Sequence, residues 1–179
     1  MNNYDELLDF IIDVSKEAGK IQLKYFNNLS SLESKSTNID LLTNADIESE
    51  QYIIMRIKER FKSHSIISEE YGNNIKNSRY TWIIDPLDGT TNFVHNLPIF
   101  AVSIAFQDNN KTKCAVVYNP AADKCFYAIK NKGAFLNDTK INVTKCQNLS
   151  NSLIATGFPY IHDSRYDLSF KIFKEFYDS

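Results

Sequence analysis

The 179-residue chain has only 5 glycines and 4 prolines, against an ordinary combined share of about 12%. That composition excludes a collagen-like, low-complexity or disordered chain. Its three cysteines, Cys114, Cys125 and Cys146, fall in no Cys-x-x-Cys or Cys/His grouping. They are read as reduced and mostly packed, not as a zinc or redox site. No apolar run approaches the ~18 residues of a membrane span, and Asp5, Glu6 and Asp9 stand where a signal peptide needs basic residues. A cytoplasmic protein with no membrane partner is expected. Neither sign of charge dominates: 20 Lys+Arg against 22 Asp+Glu leave a net charge of −2 and a pI near 5.9. That balance argues against a nucleic-acid or anionic-membrane surface as the main business of the chain.

Large apolar side chains are plentiful. Hydrophobic residues make up 43% of the chain, with 12 Phe, 10 Tyr and 20 Ile, enough for one domain with a substantial core or for part of a larger fold. Asn-x-Ser/Thr triplets begin at Asn28, Asn110, Asn137, Asn142 and Asn148. A chain this rich in Asn, Ser and Thr produces about three by chance, so they reflect composition, not glycosylation.

Residues 4–26 carry apolar side chains at Leu7, Leu8, Ile11, Val14, Ala18, Ile21 and Tyr25, the spacing of an amphipathic helix, with Asn3 and Glu6 as a capping pair. Lys16, Lys20 and Lys24 form its solvated face. Residues 30–42 read as a polar loop. A second helix starts at Thr43 or Asn44, sets Ile47, Ile54, Ile57 and Phe61 on one face and fades near His64. A strand at 65–68 leads to the acidic corner Glu69-Glu70-Tyr71-Gly72, and 80–84 reads as a buried strand.

Beyond residue 100 the period changes to two. Phe100, Val102, Ile104 and Phe106 alternate with smaller residues, Asp108-Asn109-Asn110 turns the chain and 113–118 returns as a hairpin partner. Strands at 124–130 and 134–136 follow, with turns at Asn131-Lys132-Gly133 and Asn137-Asp138. Connections this short predict an antiparallel sheet. A strand at 153–156 and a helix at 166–177, with Leu168, Ile172 and Phe176 on one face, complete the reading.

The chemistry concentrates at Asp85-Pro86-Leu87-Asp88-Gly89-Thr90-Thr91-Asn92, directly after a buried strand. Pro86 pushes Asp85 toward an extended conformation, so a sharp strand-to-helix corner here would point both carboxylates into one cavity and expose a backbone carbonyl. The amides of Gly89 and Thr90 would then sit at a helix start, where a phosphate is favoured. A plainer reading makes Asp85 and Asp88 turn residues and Gly-Thr a cap. Against it, Glu69 and Glu70 follow another strand end and Asp46 opens a helix. If Glu69, Asp85 and Asp88 meet a phosphate, each carboxylate repels it by about 4 kcal/mol at ~4 Å and an effective dielectric of 20. Such a cluster holds phosphate only through divalent cations, and its oxygen donors suit Mg2+. A metal-activated water then becomes the nucleophile.

These residues carry a resemblance. Trp82-Ile83-Ile84-Asp85-Pro86-Leu87-Asp88-Gly89-Thr90-Thr91-Asn92-Phe93 resembles the first signature of the inositol monophosphatase family of Mg2+-dependent, lithium-sensitive phosphatases. Asp40 to Asp46, Ser68-Glu69-Glu70, Val94-His95, Val116-Val117-Tyr118, Lys132-Gly133-Ala134-Phe135 and Thr156-Gly157-Phe158-Pro159-Tyr160 extend the likeness over residues 4 to 160. It implies an α+β fold: the N-terminal half of an αβαβα sugar-phosphatase, with two long helices packed on a mainly antiparallel sheet. It also implies about two or three Mg2+ ions. Glu69, Asp85 and the Leu87 carbonyl would hold the first ion, and Asp85 with Asp88 the second. Thr90 and Asp46 would position the attacking water near Glu69, the Gly89 and Thr90 amides with Asp88 would receive the substrate, and Lys35 would lie in a mobile loop over the site. The implied substrate is a small phosphorylated polyol, myo-inositol monophosphate foremost, and the implied assembly is a homodimer.

Family members continue into a second domain whose Trp-Asp-x-Ala-Gly motif completes the second metal site, whereas the only tryptophan here is Trp82. Residues 1–160 are therefore read as the metal-binding phosphatase domain and 161–179 as the start of a truncated C-terminal region. Two rival readings follow. A haloacid-dehalogenase-like phosphatase needs its nucleophilic aspartate two positions before the second, and here position 86 is proline. A catalytically impaired metal-binding or partner-binding module is the other, consistent with family relatives that bind transcription machinery.

Overall fold

Helix α1, Tyr4–Tyr25, buries Leu8, Phe10, Ile11, Val14, Ser15, Ala18, Gly19 and Gln22 and leaves Lys16, Lys20 and Lys24 in solvent. The computed structural model describes residues 4–26, 32–34, 41–69, 72–158 and 164–178. Asn3, Lys35 and Glu70, to which the sequence assigns a cap, a loop over the site and half of an acidic corner, lie outside them. Where the sequence reads a polar loop, two three-residue strands, β1 (Leu32–Ser34) and β2 (Leu41–Thr43), pair antiparallel. Helix α2, Asn44–Arg60, buries Ala45, Asp46, Ser49, Glu50, Ile53, Ile54 and Ile57, so its inner face is more polar than its isoleucines predict.

An eight-stranded sheet follows, built from β3 (Ser65–Ser68), β4 (Gly72–Asn74), β5 (Tyr80–Asp88), β6 (Ala101–Asp108), β7 (Lys111–Asn119), β8 (Lys124–Ile129), β9 (Gly133–Leu136) and β10 (Thr139–Ile141). A short helix, α3 (Thr90–Val94), links β5 to β6. The spatial order is β10-β9-β8-β7-β6-β5-β3-β4, and every pair is antiparallel except β3 with β5. The expected α+β architecture, two long helices on a mainly antiparallel sheet, is present. Asn109 and Asn110 (φ 51 and 57) and Asn137 and Asp138 (φ 44 and 67) adopt the left-handed conformations that two-residue hairpins require.

Both helices lie on one face of the sheet. Ile11, Val14 and Ala18 of α1 and Ile53 and Ile57 of α2 join Ile66, Trp82, Ile84, Val102, Ile104, Phe106 and Val116 in a single core. Fully burying each large apolar side chain contributes about 1.5–3 kcal/mol. The helix approaches closely at Gly19, where a Cβ would sit 2.7 Å from Tyr118 and 2.9 Å from Pro120. A smaller core of Ala45, Leu87, Phe93 and Phe100, with Phe26 packed against it, ties the start of α2 to α3.

The chain divides into compact units at Met1–Asn142 and Val143–Ser179. In the second, helix α4 (Ser164–Tyr177) begins two residues before the predicted start. No strand forms at 153–156, where Leu153 lies fully in solvent. Cys146 is exposed, against the packing expected of it, while Cys114 and Cys125 are buried.

Candidate metal centre

Strand β5 does not end at Ile84, the expected limit of the buried run, but continues through Asp88. Asp85 pairs with Ser103 and Asp88 with Ala101, so three steps along β5 meet two along β6. The extra residue makes a β-bulge, and Pro86 is tolerated because an unpaired bulge position needs no ladder N–H. Three apart in an unbroken strand, the two aspartates would project to opposite faces. The bulge gives both the face of Ser103 and Ala101, away from the core side taken by Val102 and Ile104. Pro86 and Leu87 are buried, Asp85 half-buried and Asp88 exposed.

The turn comes one residue later. Gly89 has φ 89° and ψ 35°, and a Cβ there would lie 2.9 Å from the Ile99 carbonyl oxygen, so glycine is required twice over. The Thr90 hydroxyl donates to the Leu87 carbonyl at 3.0 Å. That carbonyl keeps a second lone pair, and Thr90 Oγ1 keeps its acceptor capacity. Asn92 Nδ2 donates to the Ile99 carbonyl at 2.8 Å, closing the loop after α3.

Glu69 reaches the same end of the sheet through β3. Ser68 pairs with Ile84 as the last pair of the parallel ladder, and Glu69 follows in the turn one residue beyond it, as Asp85 follows Ile84 along β5. Its side chain is exposed. Asp46, in the first turn of α2, is 6% exposed and its Oδ1 is sealed from solvent. Its neighbour Ala45 packs with Leu87 and Phe93, which sets this helix start against the bulge.

Among the described residues, no three His, Cys, Asp or Glu side chains are gathered closely enough to hold a metal ion. What the arrangement offers is Glu69 and Asp85, each one residue beyond the last β3–β5 pair, Asp88 on the same face as Asp85, and a bulge carbonyl at Leu87. All are oxygen donors, so the set fits a hard cation such as Mg2+ and disfavours softer ions that prefer thiolate or imidazole.

Two residues that the sequence reading did not single out touch this machinery. Gln22 of α1, fully buried, donates from Nε2 to the Pro86 carbonyl at 2.6 Å. Glu50 of α2, 6% exposed, accepts at Oε1 from the Ser68 hydroxyl at 2.5 Å. The available signal was a polar side chain one turn from a residue already marked for close packing or for the site: Gln22 follows Ala18-Gly19, and Glu50 lies four residues after Asp46.

The helix-backed, mainly antiparallel sheet, with its acidic bulge on interior strand β5, is of a kind shared with solved structures of inositol monophosphatases. The SuhB structure from Bartonella henselae superposes with a TM-score of 0.90 at 30% identity, covering 97% of this chain and 67% of that one. An inositol monophosphatase from Anabaena superposes at 0.77 and 34% identity over 89% and 57%. In sequence, inositol monophosphatase 1 of Homo sapiens is 39% identical over 157 residues, 86% of this chain and 57% of its own length. The Nus factor SuhB of Pasteurella multocida is 40% identical over 157 residues, 86% and 58% respectively. The profile of the inositol monophosphatase family matches residues 3–177, and the chain belongs to that family. It spans somewhat under three-fifths of the length of these curated relatives.

Proposed function

We propose that this chain forms the metal-binding part of a Mg2+-dependent phosphomonoesterase acting on a small phosphorylated polyol, foremost myo-inositol monophosphate, and yielding inositol and phosphate. The observation that supports this reading is the bulge: it turns Asp85 and Asp88 to one face and takes Leu87 out of the β6 register, while Glu69 follows one residue after the last β3–β5 pair. Glu69, Asp85 and the Leu87 carbonyl would hold a first ion, and Asp85 with Asp88 would hold a second. Magnesium, when bound, neutralises phosphate charge and acidifies water beside it. Asp46 and Thr90 orient that water, the Thr90 hydroxyl being fixed by its bond to Leu87. The Gly89 and Thr90 amides receive the phosphate, and the chain pairs with a second copy in a cytoplasmic enzyme.

The test is calorimetric titration of the chain with Mg2+ and Mn2+, together with phosphate release from inositol 1-phosphate with and without Mg2+. The wild-type chain takes up metal. Asp85→Asn weakens uptake by more than the 10–100-fold typical of losing an outer partner. A wild-type chain that binds neither ion overturns the proposal. The likeness to the Nus factor SuhB of Pasteurella multocida supports a second reading, a metal-binding or partner-binding module without turnover, which uptake without metal-dependent hydrolysis would favour.

A further inference from the structure

Two carbonyls lose their place in the ladder at the bulge. Neither Pro86 nor Leu87 has a register partner on β6. A buried carbonyl left without a hydrogen bond is costly, so each must be satisfied off the sheet. Leu87 O accepts from Thr90 beside the acidic face, and Pro86 O accepts from Gln22 on α1. The direction of the bulge is therefore fixed from below by one side chain, itself fully buried in a helix that carries no donor of the site.

The second acidic segment is tied in the same manner. Ser68, 5% exposed, is the last residue of β3 and immediately precedes Glu69. Its hydroxyl donates to Glu50 on α2. One buried polar side chain from each helix thus grips one of the two segments that meet at the parallel pair of β3 and β5. We infer that Gln22 and Glu50 are positioning residues that hold Glu69 and the Asp85–Asp88 bulge in the mutual register a cation requires. This inference rests on the metal-centre reading above. Outer partners of this kind orient ligands and commonly change metal affinity by 10–100-fold when removed.

The experiment titrates the full chain with Mn2+, read by electron paramagnetic resonance, while the melting of the metal-free chain is followed by circular dichroism. Gln22→Met removes the donor at similar length, Ser68→Ala removes the hydroxyl, and Glu50→Ala removes the acceptor. Each is expected to weaken Mn2+ binding about tenfold or more. Glu50→Gln retains an acceptor oxygen and Ser68→Thr retains the hydroxyl, so both should stay close to wild-type affinity. Should Gln22→Met fail to fold, the Ser68 and Glu50 variants carry the test. Folded variants that bind Mn2+ as the wild type does overturn the positioning role alone. So does a Glu50→Gln affinity as poor as that of Glu50→Ala, which would assign the effect to charge. A wild-type chain that takes up no Mn2+ removes the metal centre, and the positioning role with it.

Discussion

The indole N–H of Trp82 donates to Nδ1 of His64 at 3.0 Å, so this histidine must be neutral, with its proton on Nε2. Its ring stacks on Phe61 and lies against Tyr80, Trp82 and Phe106. Burial first, and the charge of Lys76 second, hold its pKa below the ordinary 6.5. The unfolded chain therefore takes up this proton before the native one does. The stability contributed by neutral His64 is complete above about pH 6.5 and declines as pH falls toward the lower folded value. We expect the melting temperature to fall on acidification below pH 6.5 and expect a shallower fall in His64→Gln, measured by calorimetry; equal slopes would remove His64 as the cause. Asp108 behaves in the same sense at lower pH. Bidentate bonds from Arg79 at 2.8 and 2.7 Å, assisted by the Tyr4 hydroxyl at 3.0 Å, bring its pKa from 3.8 to about 2. Its contribution is present above the ordinary carboxylate range and is lost through the interval down to about 2. Acid titration of Arg79→Gln should show a smaller loss of stability over that interval.

Helix α1 meets strand β7 at Gly19, and two opposing effects decide what a side chain there would do. Glycine to alanine inside a helix ordinarily stabilises by about 1 kcal/mol. Here the new methyl would lie 2.7 Å from Tyr118 Cε1, and Tyr118 is held by its hydroxyl bond to Asp123 at 3.0 Å. Overpacking of this kind costs about 1–3 kcal/mol, so Gly19→Ala should lower the urea midpoint, and a raised midpoint would mean that the helix lifts off at little cost. Elements with a clear period were legible in the sequence. Strand β6 shows strict alternation of Val102, Ile104 and Phe106, and the Asn-rich hairpin turns marked the strand ends. β1 and β2 were not legible, because three residues carry no period, and the predicted strand at 153–156 had apolar residues but no partner to pair with. The acidic segment was recognisable, whereas its local structure was misread. Pro86 resembles a strand end, but a bulge depends on which residues of β6 stand opposite, and that is a property of the sheet. The Gln22 and Glu50 contacts were hidden for the same reason: a polar residue on a helix face shows its purpose only once the loop beneath it is in place.

Across the whole sheet, the face turned from the helices carries a continuous row in which Asp85, Ser103, Val117, Phe126 and Leu136 are successive cross-strand partners. Val117 and Phe126 are 41% and 38% exposed, and Ile83 is 37% exposed. Grouped apolar exposure of this kind attracts amphiphilic dyes. Val117→Lys should reduce the fluorescence of bound anilinonaphthalene sulfonate while moving stability by no more than about 0.5 kcal/mol, and undiminished fluorescence would locate the dye elsewhere. Shortening Asp-x-x-Asp to Asp-x-Asp would leave both acids pointing outward, since residues two apart already share a side of a strand. The one-residue excess that Pro86 and Leu87 set against the β6 register would then be gone. The extra residue therefore changes not where the two carboxylates point but what lies between them, a bulge whose Leu87 carbonyl leaves the β6 register and accepts from Thr90.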